Sequence, residues 1–260
     1  MFVGQDFADV IDSILDDCPD LKHLIQVEPG HARWPSLQDW IGQYPATDPN
    51  LTPQEDDDII QLYTSGTTGL PKGVQLTNRN YHELFTCGIN AGWARYEAGD
   101  VLLAAMPLFH VAGCNLGALG LLQGCKVVVL REVDPAVILK LIPEHRVNHA
   151  FLAPVIINMV LQTPGCAETD FSSLQRIFYG ASPISESVLL AAKKQFACSF
   201  TQLYGLTETI GGGCVLTPED HDLRTDKLRA CGRPWPGFEV RVRNGDEARG
   251  ALAQRLQHGA

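Results

Sequence analysis

Apolar residues follow two rhythms along the chain, one close to the 3.6-residue turn of a helix and one of short unbroken runs typical of buried strands. Phe7, Val10, Ile11, Ile14 and Leu15 recur on one helical face, and the run from Leu24 to Val27 then reads as a strand. From Ile59 onward, strand-like runs alternate with helical patterns. The runs are Ile59–Thr64, Val101–Met106, Lys126–Leu130, His149–Leu152, Arg176–Tyr179 and Phe200–Tyr204. The alternation predicts an α/β fold, a layered sandwich of largely parallel sheet with flanking helices. Asp134-Pro135 offers an N-cap and a first-turn proline ahead of Val137, Ile138 and Leu141, and Ser185 offers a cap ahead of Val188, Leu189 and Leu190.

Five prolines between Glu28 and Glu55 (Pro29, Pro35, Pro45, Pro49 and Pro53) predict an extended surface connection. Three regions follow: a leading helix–strand unit with its connection over 1–55, an α/β core over 56–243, and an atypical tail over 244–260, where composition shifts to Ala, Arg and Gln. No internal repeat or low-complexity tract is visible.

Composition narrows the possible partners. The chain has 260 residues, 45% of them hydrophobic, and only 19% charged, below the roughly 25% usual for soluble domains. The low charge fits a deeply buried sheet, or faces that await further segments and can form oligomers in their absence. A formal charge of −10 without a basic stripe argues against nucleic acid. Eight cysteines without a CxxC pair, and an N-terminus unlike a signal peptide, predict reduced thiols in a cytoplasmic protein. His145 and His149 are four residues apart, but no third or fourth ligand stands near enough to suggest zinc. The longest apolar candidate, Val111–Leu122, is too short and Gly-rich to span a membrane, so no transmembrane segment is expected.

The stretch LYTSGTTGLPKGVQLT, Leu62 to Thr77, packs Gly, Ser, Thr and one Lys between two apolar runs. Backbone N–H groups from Gly66 to Gly69 can form an anion-binding nest, hydroxyls of Thr64, Ser65, Thr67 and Thr68 add donors, and Lys72 adds a point charge for phosphate. An ordinary solvated Gly-rich hairpin is the competing reading of such a loop. A Walker A loop is excluded, because Pro71 interrupts and Val74-Gln75-Leu76 reads as a second strand where that motif requires a helix. YGAS (Tyr179–Ser182) and YGLTET (Tyr204–Thr209) each end a predicted strand, where open α/β sheets place their ligands. Tyr204 offers a ring for a purine, Thr207 a hydroxyl for phosphate, and Glu208 an oxygen ligand for Mg²⁺.

YTSGTTGLPKG, PLFHVAG, YGAS and YGLTE, in this order, resemble the adenylate-forming superfamily of acyl-CoA synthetases, luciferases and peptide-synthetase adenylation domains, over roughly Ile59 to Val242. The chain resembles the central part of that family's large N-terminal domain. The resemblance implies ATP phosphate contacts at Thr64, Ser65, Gly66, Thr67, Thr68, Gly69 and Lys72. It also implies adenine packing by Tyr204 beside Gly205, phosphate contact by Thr207, Mg²⁺ at Glu208, and Gly180, Ala181 and Ser182 between adenine and acyl group. His110 matches a residue beside the reacting carboxylate. The catalytic set is then Lys72, Thr207, Glu208 and His110. The implied reaction is ATP-dependent, Mg²⁺-assisted activation of a carboxylic acid to acyl-AMP, followed by transfer to coenzyme A, with no side-chain nucleophile.

SGTTG and the His of PLFHVAG lean towards acyl-CoA synthetases. The uncharged, small-residue stretch from Val111 to Gln123 suggests a medium- or long-chain fatty acid, with short or aryl acids left open. Its Gly and Ala residues equally fit close helix–sheet packing. The family's ribose-binding Asp and C-terminal catalytic Lys have no counterpart; Asp246 lacks the surrounding motif. Two alternatives therefore stand beside acyl-CoA synthesis: a truncated nucleotide-binding fragment, and an enzyme that loads a carrier protein.

Overall fold

The computed structural model describes residues 1–65, 69–221 and 226–241. The chain divides into two compact units, Met1–Thr52 and the remainder from Pro53. In the first, β1 (Phe2–Val3) pairs in parallel with β2 (Ile25–Gln26), and α1 (Ala8–Ile14) lies between them in sequence, flanked by 3₁₀ turns. The predicted helical stripe forms but is not buried. Phe7 is 64% exposed and Val10 56%, because two two-residue strands offer too little surface to cover it. The Pro-rich stretch is less extended than expected: Ser36 caps a short α2 (Leu37–Ile41) by accepting from the Asp39 N–H at 3.1 Å.

The second unit opens with an antiparallel hairpin, β3 (Asp58–Thr64) and β4 (Lys72–Thr77), followed by α3 (Asn78–Asn90). Then come β5 (Val101–Ala104), α4 (Val111–Leu122), β6 (Lys126–Val129), α5 (Pro135–His145), β7 (His149–Phe151), α6 (Pro154–Gln162), β8 (Arg176–Gly180), α7 (Glu186–Phe196) and β9 (Ser199–Gly205). Two antiparallel strands, β10 (Gly213–Leu216) and β11 (Arg233–Pro234), complete a seven-stranded sheet of order β11-β10-β9-β8-β7-β5-β6. The five strands from β9 to β6 are parallel. The predicted parallel α/β sandwich is therefore present; the two antiparallel strands are additions that the apolar runs did not reveal.

Alternation along each strand feeds two cores. Leu103, Ala150, Ile177 and Tyr179 join α5, α6 and α7 on one face, whereas Leu102, Phe151 and Phe178 join α3, α4 and the hairpin on the other. A sheet buried on both faces reads as continuous apolar runs, which is why its strands were legible in sequence. The caps also form as predicted. Asp134 accepts from the Ala136 and Val137 N–H groups, at 2.8 and 3.3 Å, and Ser185 accepts from Val188 at 3.3 Å. No helix among the described residues is long and apolar enough to cross a membrane.

The small residues of α4 divide by position. A Cβ on Gly113 would lie 2.4 Å from the Met106 carbonyl oxygen, so there the helix needs glycine to meet the preceding loop. At Gly117 the nearest atom would be 3.9 Å away. His149, four residues beyond His145, opens β7 within the sheet, its Nε2 3.1 Å from Asp100 Oδ2 and Tyr96 packed on its ring. His221 is equally buried: its Nδ1 lies 2.7 Å from the Thr217 carbonyl, and its Nε2 lies 3.0 Å from the Tyr179 hydroxyl, which donates to Gln202 Oε1.

Gly113→Ala should destabilise the fold by about 1–3 kcal/mol through overpacking, whereas Gly117→Ala should be neutral or gain up to about 1 kcal/mol from helix propensity. Equal urea midpoints for the two variants would contradict this division. Burial, above all, holds the His149 and His221 imidazoles below the ordinary histidine value of 6.5, with the Asp100 hydrogen bond opposing it at His149. Below that value the unfolded chain binds more protons than the fold does. Stability should therefore fall as pH drops below 6.5, with a slope of up to roughly 1.4 kcal/mol per pH unit for each ring. His149→Gln should flatten the fall, as read from urea midpoints across that window.

Candidate nucleotide and acid site

The hairpin presents the hydroxyl-rich loop. Leu62 and Leu76, both buried, set its register, and that register pairs Thr64 with Lys72 across the base of the loop. Thr64 Oγ1 is buried without a hydrogen-bond partner among the described residues. Ser65 and Lys72 are exposed, and Lys72 makes no ion pair among the described residues. Gly69 takes φ +86°. Gly66, Thr67 and Thr68 lie outside the described residues.

The other two motifs end neighbouring parallel strands. Gly180 of β8 registers with Leu203 of β9, and a Cβ at Gly180 would stand 2.3 Å from the Leu203 carbonyl oxygen. At Gly205 a Cβ would stand 2.3 Å from the Gly211 carbonyl. Only glycine permits either approach. Ala181 follows at φ +69° and Ile210 at φ +54°, the second a β-branched residue in the left-handed region. Strain of this kind is held in place by surroundings and gathers at functional sites. Between Gly205 and Ile210, a 3₁₀ turn (Thr207–Thr209) exposes Glu208, whose carboxylate has no ion pair among the described residues. Thr209 Oγ1 fixes that turn by accepting from the Leu206 N–H at 2.9 Å and donating to the Gly212 carbonyl at 2.5 Å. Tyr204 is 42% exposed, Thr207 half-buried and Ser182 exposed.

His110 stands beyond the carboxyl end of β5 as the N-cap of α4, exposed, its ring tilted at 53° against Phe109. The same helix is tied to the strained turn, because Asn115 Nδ2 donates to the Ile210 carbonyl at 2.8 Å. An apolar cavity of about 120 Å³ lies between α3, α4 and the sheet, reaching Ala181, Gly205 and Gly211 at the strand ends. A more polar cavity of about 170 Å³ brings Gln75 of the hairpin and Asn80 and Glu83 of α3 to Glu208 and Thr209. The structure thus brings Gly180, Ala181 and Gly205 together, and sets Glu208 and Gln75 of the hairpin on the walls of one cavity. No hydrogen bond or ion pair among the described residues joins Lys72 to Glu208, or His110 to either.

Comparison with known proteins places this geometry. The AMP-binding enzyme family matches residues 3–256. The chain belongs to that family. The fatty acid–acyl-carrier-protein ligase ScoC of Streptomyces coeruleorubidus is 35% identical over 216 residues, 81% of this chain and 41% of ScoC. The 4-coumarate–CoA ligase 1 of Oryza sativa subsp. japonica is 36% identical over 157 residues, 58% of this chain and 28% of the ligase. The inhibitor-bound N-terminal domain of FACL13 from Mycobacterium tuberculosis superimposes with a TM-score of 0.79 at 29% identity, covering 98% of this chain and 60% of that one. The chain spans less than half the length of these curated relatives.

In this member of the AMP-binding enzyme family, several lining residues escaped the motif reading. Asn115 looked like one more small residue of α4, and nothing in its spacing marked it as the tie to Ile210. Six rings, Phe85, Trp93, Tyr96, Phe151, Phe178 and Trp235, line the apolar cavity from five separate stretches of chain. A weak signal existed in Gly88, placed inside α3, where a Cβ would come within 3.1 Å of the Trp93 ring. Val242 and Asp246 lie outside the described residues, as does the whole tail over 244–260.

Proposed function

We propose that this chain carries the adenylation half-reaction of an acid–thiol ligase: a carboxylic acid and ATP give acyl-AMP and pyrophosphate, and a thiol then takes the acyl group. The observation that carries the reading is the meeting, at the carboxyl ends of β8 and β9, of two strained backbone turns with an apolar cavity beneath them. A phosphate-and-adenine site beside an acid pocket is what acid activation needs. One carboxylate oxygen bonds to the α-phosphorus as the bridging bond to pyrophosphate breaks, and that bond's electron pair leaves with pyrophosphate. Both partners are anions, so the site must neutralise charge and hold the attack in line.

Lys72, free of ion pairs among the described residues, supplies the cation, and Thr64 Oγ1 supplies an unpartnered hydroxyl. Ser65, Gly66, Thr67, Thr68 and Gly69 complete the phosphate loop in this proposal. Tyr204 and Gly205 flank the adenine, Gly180, Ala181 and Ser182 bridge adenine and acyl group, and Thr207 donates to phosphate. His110 stands at the carboxylate. Glu208 fits a hard cation, being an exposed carboxylate with no competing ion pair among the described residues; a bound Mg²⁺ would neutralise phosphate charge there. Coenzyme A is the proposed thiol acceptor and a carrier protein the alternative, since the two curated relatives are named for one acceptor each.

The direct test is acyl-AMP formation from Mg-ATP and a panel of acids, detected by mass spectrometry. Lys72→Ala should slow it by roughly 10²-fold, the scale for removing one preorganised charge-stabilising donor; an unchanged rate would take the loop out of the site. Glu208→Gln should raise the Mg²⁺ concentration for half-maximal rate by about tenfold, because a hard cation depends on anionic oxygen. Superimposable metal titrations would free Glu208 of that role.

A further inference from the structure

The turn that carries Thr207 and Glu208 is closed almost entirely upon itself. The Thr209 and Gly211 N–H groups donate to the Leu206 carbonyl at 3.1 and 2.7 Å, and those of Ile210 and Gly212 donate to the Thr207 and Thr209 carbonyls, both at 2.9 Å. Thr209 Oγ1 adds its bonds to Leu206 and Gly212. Among the described residues, a single hydrogen bond leaves the stretch 206–212 for another element: the one from Asn115 Nδ2 to the Ile210 carbonyl at 2.8 Å.

That bond sits where the backbone most needs holding. Ile210 is 6% exposed and stands at φ +54°, and a β-branched residue leaves the left-handed region unless its surroundings oppose the change. Helix α4 opposes it twice. Ile210 belongs to the core that also takes Leu116 and Leu119 of that helix, and the Asn115 amide fixes the carbonyl that any change at Ile210 would swing. Gly211, next in the chain, lies so near the helix that a Cβ there would come within 3.3 Å of Asn115 Nδ2 and 3.4 Å of Val111 Cγ2. Without the amide the carbonyl of a buried residue loses its partner, and relaxation of Ile210 is the route by which it regains one. Glu208 lies two residues earlier on the same closed turn, so its carboxylate moves with it.

We propose that Asn115 is a positioning residue for the metal end of the site: its amide holds the Ile210 carbonyl and thereby fixes where Glu208 presents its carboxylate to a hard cation. The role given to Glu208 rests on the adenylation reading above; the mechanical link from Asn115 to its turn does not. The experiment compares the 260-residue chain with Asn115→Leu, which removes the donor, and Asn115→Asp, which keeps the shape but sets an acceptor against the carbonyl. Three quantities are read: hydrogen–deuterium exchange over 206–212 without ligand, the Mg²⁺ concentration for half-maximal ATP binding by equilibrium dialysis, and acyl-AMP formation. The binding titration is repeated in the Glu208→Gln background.

The expected result for both Asn115 variants is at least tenfold faster exchange over 206–212 with β8 unchanged, and a roughly tenfold higher Mg²⁺ requirement; losing the partner of one buried polar group is worth about this factor. In the Glu208→Gln background the Asn115 substitutions should add nothing further, because the carboxylate they act through is gone. A residue that merely stabilised the fold would shift the titration whatever stands at 208. Unchanged exchange, an unchanged Mg²⁺ requirement, or shifts that simply add in the double variants would each overturn the inference. Shifted Mg²⁺ titrations in a chain that binds ATP but forms no acyl-AMP would uphold it and sink the adenylation reading. Acyl-AMP formation with superimposable titrations would do the reverse, and a chain that binds no ATP would remove both.

Discussion

Everything at this site hangs on a parallel sheet that is buried on both faces. Strands β5, β7 and β8 send alternate side chains into two separate cores, Leu102, Phe151 and Phe178 to one side and Leu103, Ala150, Ile177 and Tyr179 to the other. Parallel strands require helical crossovers, and those crossovers cover both faces, so only the strand ends remain open to a ligand. The carboxyl ends carry Gly180 and Gly205. Backbone crowding against Leu203 and Gly211, with the Asn115 bond to the Ile210 carbonyl, holds Ala181 and Ile210 in left-handed conformations that a looser loop would relax.

Much of this was legible because the physics was local. Strands buried on two sides leave unbroken apolar runs, and helix starts leave a capping side chain followed by a proline or a periodic stripe, as at Asp134 and Ser185. The hairpin was legible for the same reason, since Pro71 and the apolar alternation of Val74 and Leu76 both disfavour a helix. What failed was non-local. The strands β10 and β11 have only four and two residues, and their pairing is decided by neighbours far along the chain. The leading helical stripe was correctly periodic, yet periodicity says nothing about whether a partner surface exists, and Val10 stays exposed.

The site divides along the same line. Motif glycines could be picked from sequence because their crowding comes from an adjacent strand or turn, Leu203 for Gly180 and Gly211 for Gly205. The apolar cavity could not, because its rings come from α3, the segment after it, β7, β8 and Trp235 just past β11. The uncharged α4 suggested room for an alkyl chain or close helix–sheet packing; in the fold Gly113 meets backbone, a Cβ on Gly117 would have its nearest atom 3.9 Å away, and tryptophan and phenylalanine line the apolar cavity.

The hairpin register has a consequence for how variants of this chain would behave. Lys72 is held opposite Thr64 by the pairing of Leu62 with Val74 and by the burial of Leu76, several residues away on the solvent-remote side. Because strand side chains alternate with a period of two, a slip of one position would turn the lysine to the opposite face while burying a polar neighbour. The loop's charge is thus indexed by the core like a key by its shaft. Sequence drift at Leu62 or Leu76 would therefore act twice, loosening the core and shifting where the loop carries its charge.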